Sequence, residues 1–455
     1  MAGTKTERVG AVLALGFGTT VAMWAAGYAA RTAGMPNWAL FFTLLAVMIG
    51  GAAMCARIGP HGMRDRVWVG LLVGALNLLI LGSVLSRDET RALVATAAWA
   101  VPGWFALCAL LVVVGAKLAD GVITRAPTVD GSVPAEATPI GAGISYARQT
   151  PAVSPWAGRL ALVTVSATAL LLVAGGIVTG LEVGMAVPDW PGTFGYNMFL
   201  YPLAHMTGGV YFEHSHRLLG SLVGLTTLTL AAYVVCTDRR GWVRVGAVAL
   251  LAAVIVQGVL GGRRVVDNSP TLAAFHGVLA QGFFAGLLLL HAALSPRWRV
   301  APPPAFRAGG FERSAGIWVS GLLLAQITLG ARLRHLHVDF NLHLLLGVLS
   351  GLLAAAYGLR AWLAYENHPP VAALGGWLTV LIVVQVLMGV GAFLVVGDNS
   401  VPQAPTPVSV AVTTAHQTMG AIVLAVAATL ALWHRRVTFV EADVVRTEAG
   451  AAVRS

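Results

Sequence analysis

Charged residues are scarce in this sequence. Asp, Glu, Lys and Arg make up 11% of its 455 residues, whereas hydrophobic residues make up 57%. A soluble domain of average composition has about 25% charged residues. The composition therefore excludes an ordinary soluble domain and predicts an all-α polytopic membrane protein.

Cysteine is rarer still. Cys55, Cys108 and Cys236 lie far apart in the sequence and form no C-x-x-C pair. This spacing argues against a disulfide framework and against a metal site built from thiolates.

Long apolar runs, by contrast, are abundant. A run of about 20 residues is long enough to cross the hydrocarbon core of a bilayer. Such runs predict about twelve transmembrane helices, near 10–30, 37–56, 67–86, 93–118, 160–181, 212–236, 243–262, 270–294, 314–331, 341–363, 371–396 and 407–434. The first run follows a basic start, as in a signal peptide, but further spans follow it, so we expect a retained first helix.

Basic residues are concentrated in alternate loops. With a cytoplasmic N-terminus, most Lys and Arg residues fall on the inside, and the outside loops hold only Arg31, Arg87, Arg91, Arg263, Arg264, Arg332 and Arg334. This positive-inside pattern predicts that both termini are cytoplasmic. Topology therefore accounts for the net charge of +10 without a nucleic-acid partner.

The composition divides the chain into five segments. We expect a four-helix membrane extension (1–118), a cytoplasmic linker rich in Pro, Gly, Ala, Ser and Thr (119–158), two halves of a second membrane module (159–295 and 314–436) and a cytoplasmic tail (437–455). The extension contains a single histidine, His61, in a basic loop. Nothing in the extension indicates chemistry.

The second module contains an internal repeat. His216 begins HRLLGSLVGL and His343 begins HLLLGVLSGL. Each copy continues with Q-x-x-x-G, D-N-S and then a second histidine, His276 or His416. Because each copy has four helices, we expect two four-helix bundles related by a pseudo-two-fold axis along the membrane normal. All four histidines then lie near the outer ends of their helices.

Two paired histidines suit an iron porphyrin. Facing helices of a four-helix unit can each supply one imidazole to an axial face of haem. The expected pairs are His216 with His276 and His343 with His416. Glycines at i+4 and i+8 leave room for a flat macrocycle, although close helix packing explains them equally well; they are Gly220, Gly224, Gly347 and Gly351.

Other metals and other histidines fit less well. A structural zinc ion needs four close ligands, usually including Cys. The remaining membrane-module histidines are expected to be solvated or interfacial: His335 and His337 in an outside loop, and His291, His368 and His434 near cytoplasmic ends.

The two repeats differ beside the first histidine. Glu213 and Arg217 flank His216, whereas Phe340 and Leu344 stand at the equivalent positions around His343. The first site is therefore expected to carry the chemistry and the second to hold a prosthetic group. The preceding loop, 182-EVGMAVPDWPGTFGYNMFLYP-202, is too rich in Pro and Gly for a regular helix and is expected to cap the first site. The residues assign no role to His214.

Two segments resemble a known family. The segments 175-GGIVTGLEVGMAVPDWP-191 and 213-EHSHRLLG-220, with Q-G-x-L-G before His276 and the four histidines in order, are similar to bacterial haem A synthase over about 156–436. The resemblance implies an enzyme that oxidises the C8 methyl of haem O to a formyl group. The methyl is hydroxylated twice, and the gem-diol loses water to give haem A for terminal oxidases.

The resemblance also implies roles for individual residues. His343 and His416 would bind the iron of a b-type haem, and His216 and His276 that of the substrate haem. Glu213 would be catalytic. From their charge, Arg217, and with it Arg263 and Arg264, could pair with haem propionates, although a role as interfacial anchors explains Arg263 and Arg264 equally well. Some bacterial members carry a cysteine pair in outside loops, which this chain lacks, so a thiol mechanism is excluded.

The expected setting is the bacterial inner membrane. Expected partners are haem O, a reductant, haem O synthase and oxidase assembly factors, with a homo-oligomer as one option. Two alternatives stay open: a non-catalytic di-haem cytochrome that carries electrons between a quinol and a partner, and a haem-handling transporter.

Overall fold

The protein is all-helical in the computed structural model, which describes residues 4–59, 62–84, 95–122, 155–299, 306–307, 310–396 and 404–439. The helices are α1 (Lys5–Thr32), α2 (Asn37–Ile58), α3 (Met63–Val84), α4 (Ala97–Val122), α5 (Trp156–Gly180), α6 (Gly208–Thr237), α7 (Gly241–Val266), α8 (Pro270–Leu294), α9 (Pro296–Arg299), α10 (Gly310–Leu336), α11 (Phe340–Ala364), α12 (Pro369–Val396) and α13 (Pro407–Val437). The strands Phe306–Arg307 (β1) and Thr438–Phe439 (β2) form one short parallel pair. The predicted all-α fold is thus confirmed.

Eleven of these helices are long and apolar enough to cross a membrane, within the part of the chain that the structure describes. Each coincides with a predicted span. The remaining predicted span, 67–86, falls on α3, which begins with the charged residues Arg64, Asp65 and Arg66. The chain is therefore a multi-pass membrane protein, as its composition predicts.

The chain forms two compact units. The first, here the N-terminal unit, comprises 1–76 and 99–157, and the second, here the histidine unit, comprises 77–98 and 158–455. In the N-terminal unit, Arg66 on α3 forms an ion pair with Asp120 on α4 at 2.8 Å. A Cβ at Gly70 would lie 2.8 Å from the backbone nitrogen of Ala109, so a larger residue at Gly70 would separate α3 from α4.

In the histidine unit, equivalent helices of the two repeats have equivalent neighbours. α6 packs on α7 and α7 on α8, as α11 packs on α12 and α12 on α13. α10 packs on α8, and α5 contacts α13 where Gly176 meets Thr414 and Gly180 meets Val410. α8 also packs directly on α13. A two-fold relation between the repeats requires this pattern and places the last helix of each repeat at their interface.

Candidate functional site

Each of the four histidines packs against a glycine of the preceding long helix. A Cβ at any of these glycines would lie 3.0 Å from the imidazole Cε1. The same contact is therefore made four times, and each ring lies against bare backbone. The pairs are Gly175 with His216 (α5, α6), Gly261 with His276 (α7, α8), Gly330 with His343 (α10, α11) and Gly389 with His416 (α12, α13).

The first predicted pair has the spacing of two axial ligands. The ring centroids of His216 and His276 are 6.5 Å apart, with an interplanar angle of 75°. A metal–imidazole bond is about 2 Å long and the ring centre lies about 1.1 Å behind the bonded nitrogen, so two imidazoles on opposite sides of one metal have centroids about 6 Å apart. The structure thus brings His216 and His276 to a distance that fits one iron between them.

Of these four imidazoles, three have a buried Nδ1 without a hydrogen-bond partner among the described residues: those of His216, His276 and His416. All four rings are only half-buried as whole residues. Beside His216, a Cβ at Gly220 or Gly224 would meet no atom within 4 Å. Partly exposed imidazoles beside a bare helix face suit a large planar ligand, so these residues fit a haem.

A glutamine one turn before the glycine supports two of the histidines. The Gln257 amide donates to the backbone carbonyl of His276 at 2.7 Å, and the Gln326 amide to that of His343 at 2.8 Å. The sequence 326-QITLG-330 repeats the Q-x-x-x-G of 257-QGVLG-261. Gln326 was not predicted from the sequence, although its Q-x-x-x-G motif would have identified it.

Glu213 is buried at the start of α6, with 1% of its surface exposed. One carboxylate oxygen accepts from the backbone N–H of Val187 at 2.8 Å. The other forms an ion pair with Arg217 at 2.7 Å. Both oxygens are therefore held by protein donors, and the charge of Glu213 is matched within the protein.

Arg217 fastens the loop that precedes α6. Its guanidinium donates to the carbonyl oxygens of Val187 at 2.7 Å, Asp189 at 2.7 Å and Gly192 at 3.0 Å, in addition to Glu213. That Arg217 pairs with a propionate remains a prediction. In the structure, Arg217 holds this loop in place.

The loop before α6 is irregular, as predicted, apart from the 3₁₀ turns Met198–Leu200 and Leu203–His205. Asp189 accepts from the backbone N–H groups of Phe194 at 2.7 Å and Gly195 at 2.8 Å. Partial burial opposes ionisation of Asp189, but these two donors and the charge of Arg217 outweigh it and lower the pKa of the carboxyl. The carboxylate therefore stays ionised and closes the turn.

His214, which had no expected role, is also fully buried. Its Nδ1 lies 3.1 Å from the Thr193 hydroxyl, and the ring packs on Tyr201 with centroids 5.2 Å apart. His214 therefore contacts the loop before α6 through Thr193 and Tyr201, and it helps to hold this loop against the helix.

Arg263, Arg264, Arg332 and Arg334, which were assigned to outside loops after the spans, lie on helices instead; Arg87 and Arg91 fall outside the described residues. α7 continues to Val266 and α10 to Leu336, because a helix extends past its apolar run where polar ends are satisfied. Arg263 pairs with Asp267 one turn on, at 2.8 Å, and Arg332 pairs with Asp339. The expectation of loops at these positions was wrong, and it was wrong for His335 as well, which lies on α10.

Arg264 differs from these neighbours. It stands three residues after Gly261 and so shares the helix face that meets His276. Its guanidinium covers Gly184 of the loop, where a Cβ would lie 3.0 Å from Nη1 and 3.2 Å from Nη2. Arg264 thus lies about 4.5 Å along α7 from the glycine that contacts His276.

The histidines at the opposite helix ends are structural. His291 contacts the carbonyl oxygen of Gly158 through Nδ1 at 2.9 Å. His434 is buried between the hydroxyls of Tyr357 and Tyr365, at 3.2 and 2.8 Å, so the expectation of a solvated or interfacial role was wrong for His434. The D-N-S of the second repeat, at 398–400, lies outside the described residues.

Comparison with known proteins gives a family match for the first repeat. No curated protein matches the chain. A family match covers residues 158–342 and so ends one residue before His343. The second histidine pair therefore rests on the internal repeat and the shared glycine contacts. The family indicated by the motifs is confirmed over residues 158–342, which match the model of the COX15-CtaA family, described as cytochrome oxidase assembly protein.

Proposed function

We propose that the protein is a haem A synthase, an oxidoreductase that converts the C8 methyl of haem O to a formyl group. The observation that carries the proposal is the 6.5 Å spacing of His216 and His276 beside a loop fastened by Glu213 and Arg217. The match to a cytochrome oxidase assembly family over this repeat supports it.

The two histidine pairs have separate tasks in this proposal. His216 and His276 would bind the iron of haem O, the substrate. His343 and His416 would bind a b-type haem. Bound haem iron supplies the redox and oxygen chemistry that a methyl C–H bond requires and that side chains lack.

Protein groups around the first pair would position the substrate. Glu213 shares a helix face with His216, three residues on, and is the proposed catalytic carboxylate. With Arg217 it also holds the loop before α6, which would limit entry of water. Gly175 and Gly261 set where the two imidazoles lie.

The setting belongs to the proposal as well. We place the protein in a bacterial inner membrane, with both termini cytoplasmic and the haem sites near the outer face, receiving haem O from haem O synthase and electrons from a reductant. The direct test supplies membranes containing the protein with haem O, oxygen and a reductant, and analyses extracted pigments by mass spectrometry. Haem A or its hydroxylated precursor is expected, and pigments that never change beyond haem O would overturn the proposal.

Arg264 is the arginine best placed to pair with a substrate propionate. Arg217 is bound to four protein acceptors and Arg263 is exposed and paired with Asp267, whereas Arg264 lies on the Gly261 face of α7.

Removing the Arg264 charge should weaken binding of haem O. Arg264→Gln is expected to lower affinity about tenfold, as for loss of a charge-assisted hydrogen bond, and Arg263→Gln serves as the matched control. Spectroscopic titration compares haem O with its dimethyl ester, which lacks propionate charges. Equal loss of affinity for the acid and the ester would contradict a propionate contact.

A further inference from the structure

A cavity of about 660 Å³ lies within the N-terminal unit. It runs along α1 and α3 and reaches Phe105 on α4. Its volume falls within the range of about 300–1,000 Å³ typical of ligand pockets. No residue of this cavity takes part in the proposed function.

The wall of the cavity is apolar and partly exposed. Val9 of α1 is 46% exposed and Trp68 of α3 is 51% exposed, and Leu13 and Leu71 continue the same surface. Because α1 is long and apolar enough to cross a membrane, we expect this wall to face hydrocarbon rather than water. An acyl chain is the ligand that such a wall covers most favourably.

One end of the cavity is basic. Lys5 and Arg8 near the start of α1 and Arg64 near the start of α3 line it there, with Asp65 as the single acidic lining residue. All three basic side chains are exposed, and in the described part of the chain none of them forms an ion pair. Arg66, in the same turn of α3, is used differently: it is 4% exposed and bound to Asp120.

We propose that this cavity binds a phospholipid with an anionic headgroup. Its phosphate would lie between Arg8 and Arg64, and one acyl chain would lie along the wall from Val9 to Ala75. Basic pockets between membrane helices recognise acidic headgroups in this way. Free phosphate would leave the apolar wall uncovered, and a zwitterionic lipid would bring its ammonium group close to the arginines.

The test measures lipid binding to the full chain. The protein, purified in a non-ionic detergent, is titrated with phosphatidylglycerol and with phosphatidylethanolamine, and bound lipid is counted by native mass spectrometry. Phosphatidylglycerol should bind more tightly. The double variant Arg8→Gln/Arg64→Gln should bind it about 30-fold more weakly, as expected for removal of two basic residues beside an anionic lipid.

Two further variants separate charge from shape. Arg57→Gln removes an exposed basic residue of α2 that does not line the cavity and should leave the affinity unchanged. Ala75→Phe fills the wall from an exposed position without changing charge, and should weaken both lipids by the same factor.

Three results would overturn the proposal. The first is equal loss of affinity for Arg57→Gln and for either cavity arginine, which would indicate a general basic belt. The second is unchanged phosphatidylglycerol binding in the double variant. The third is full displacement of the lipid by glycerol 3-phosphate, which would indicate a soluble phosphate ligand instead.

Discussion

Glu213 and Arg217 have two roles in the proposed site. Glu213 is the proposed catalytic carboxylate, and the two residues together hold the loop before α6 in place. A buried ion pair is a weak source of stability, because desolvation of both charges offsets their attraction. The pair here also makes four hydrogen bonds between α6 and the loop before it. Loss of activity in a single variant would therefore not separate chemistry from loop order.

A double variant separates them. Glu213→Gln leaves Arg217 buried beside a neutral partner, which should destabilise the protein by about 3 kcal/mol, whereas Glu213→Gln/Arg217→Met removes both charges and should recover part of that loss. Thermal unfolding in detergent measures this. If Glu213 is catalytic, haem A formation stays lost in both variants while the b-haem spectrum persists; activity that returns in the double variant would refute the catalytic role.

For individual residues, the sequence predicts which side chains form the site better than it predicts their hydrogen-bond partners. The four histidines were found from the repeat, and two of them lie at the expected ligand spacing. The partners of Glu213 and Arg217 were not predictable, because they are backbone groups of a loop whose path no periodicity reveals. His214 is the clearest example, since its contacts are Thr193 and Tyr201 of that loop.

Helix pairs are the repeating element of the histidine unit. In each pair a histidine near the start of one helix meets a glycine of the helix before it. The helices themselves were predictable from apolar runs, but their ends were not: α7 and α10 continue through Arg264 and Arg334, where hydropathy has already fallen. The contact glycines were also missed as a set, because sequence cannot show which of many glycines faces a ring.

Replacing Gly330, the glycine that contacts His343, with valine should disturb the b-type haem alone. Gly330→Val would push against the Cε1 of His343 and is expected to lower the low-spin b-haem signal. Gly321→Val on the same helix is the matched control, since a Cβ there meets nothing within 4 Å and valine costs a similar amount of helix propensity at both positions. Optical and electron paramagnetic resonance spectra measure the haem, and equal spectra for the two variants would contradict the packing role of Gly330.

At the scale of the whole molecule, the chain has two compact units, and all four histidine–glycine contacts lie in the second. Composition predicted a membrane protein and an accessory N-terminal extension. It did not predict that residues 77–84 and 95–98, from the region assigned to that extension, group with the histidine unit, because such grouping depends on tertiary packing.

Residues 155–455, which contain all four histidine–glycine contacts, should therefore hold haem without α1–α4. A chain of residues 155–455 is expected to insert into membranes and keep the low-spin b-haem spectrum, because every proposed haem ligand and its packing partner is retained. The same truncation carrying His343→Ala is the control and should lose that spectrum. A truncated protein that inserts in normal amounts yet binds no haem would show that the N-terminal unit is required for the site.

Pigment extraction from the purified protein is the most direct test of a haem A synthase with two haem sites. With one site for a b-type haem and another for the substrate, the extract should contain haem B together with haem O or haem A, identified by mass. His216→Ala should deplete haem O and haem A while haem B remains. An extract with haem B alone, at two equivalents per chain, would contradict the synthase and indicate a di-haem cytochrome.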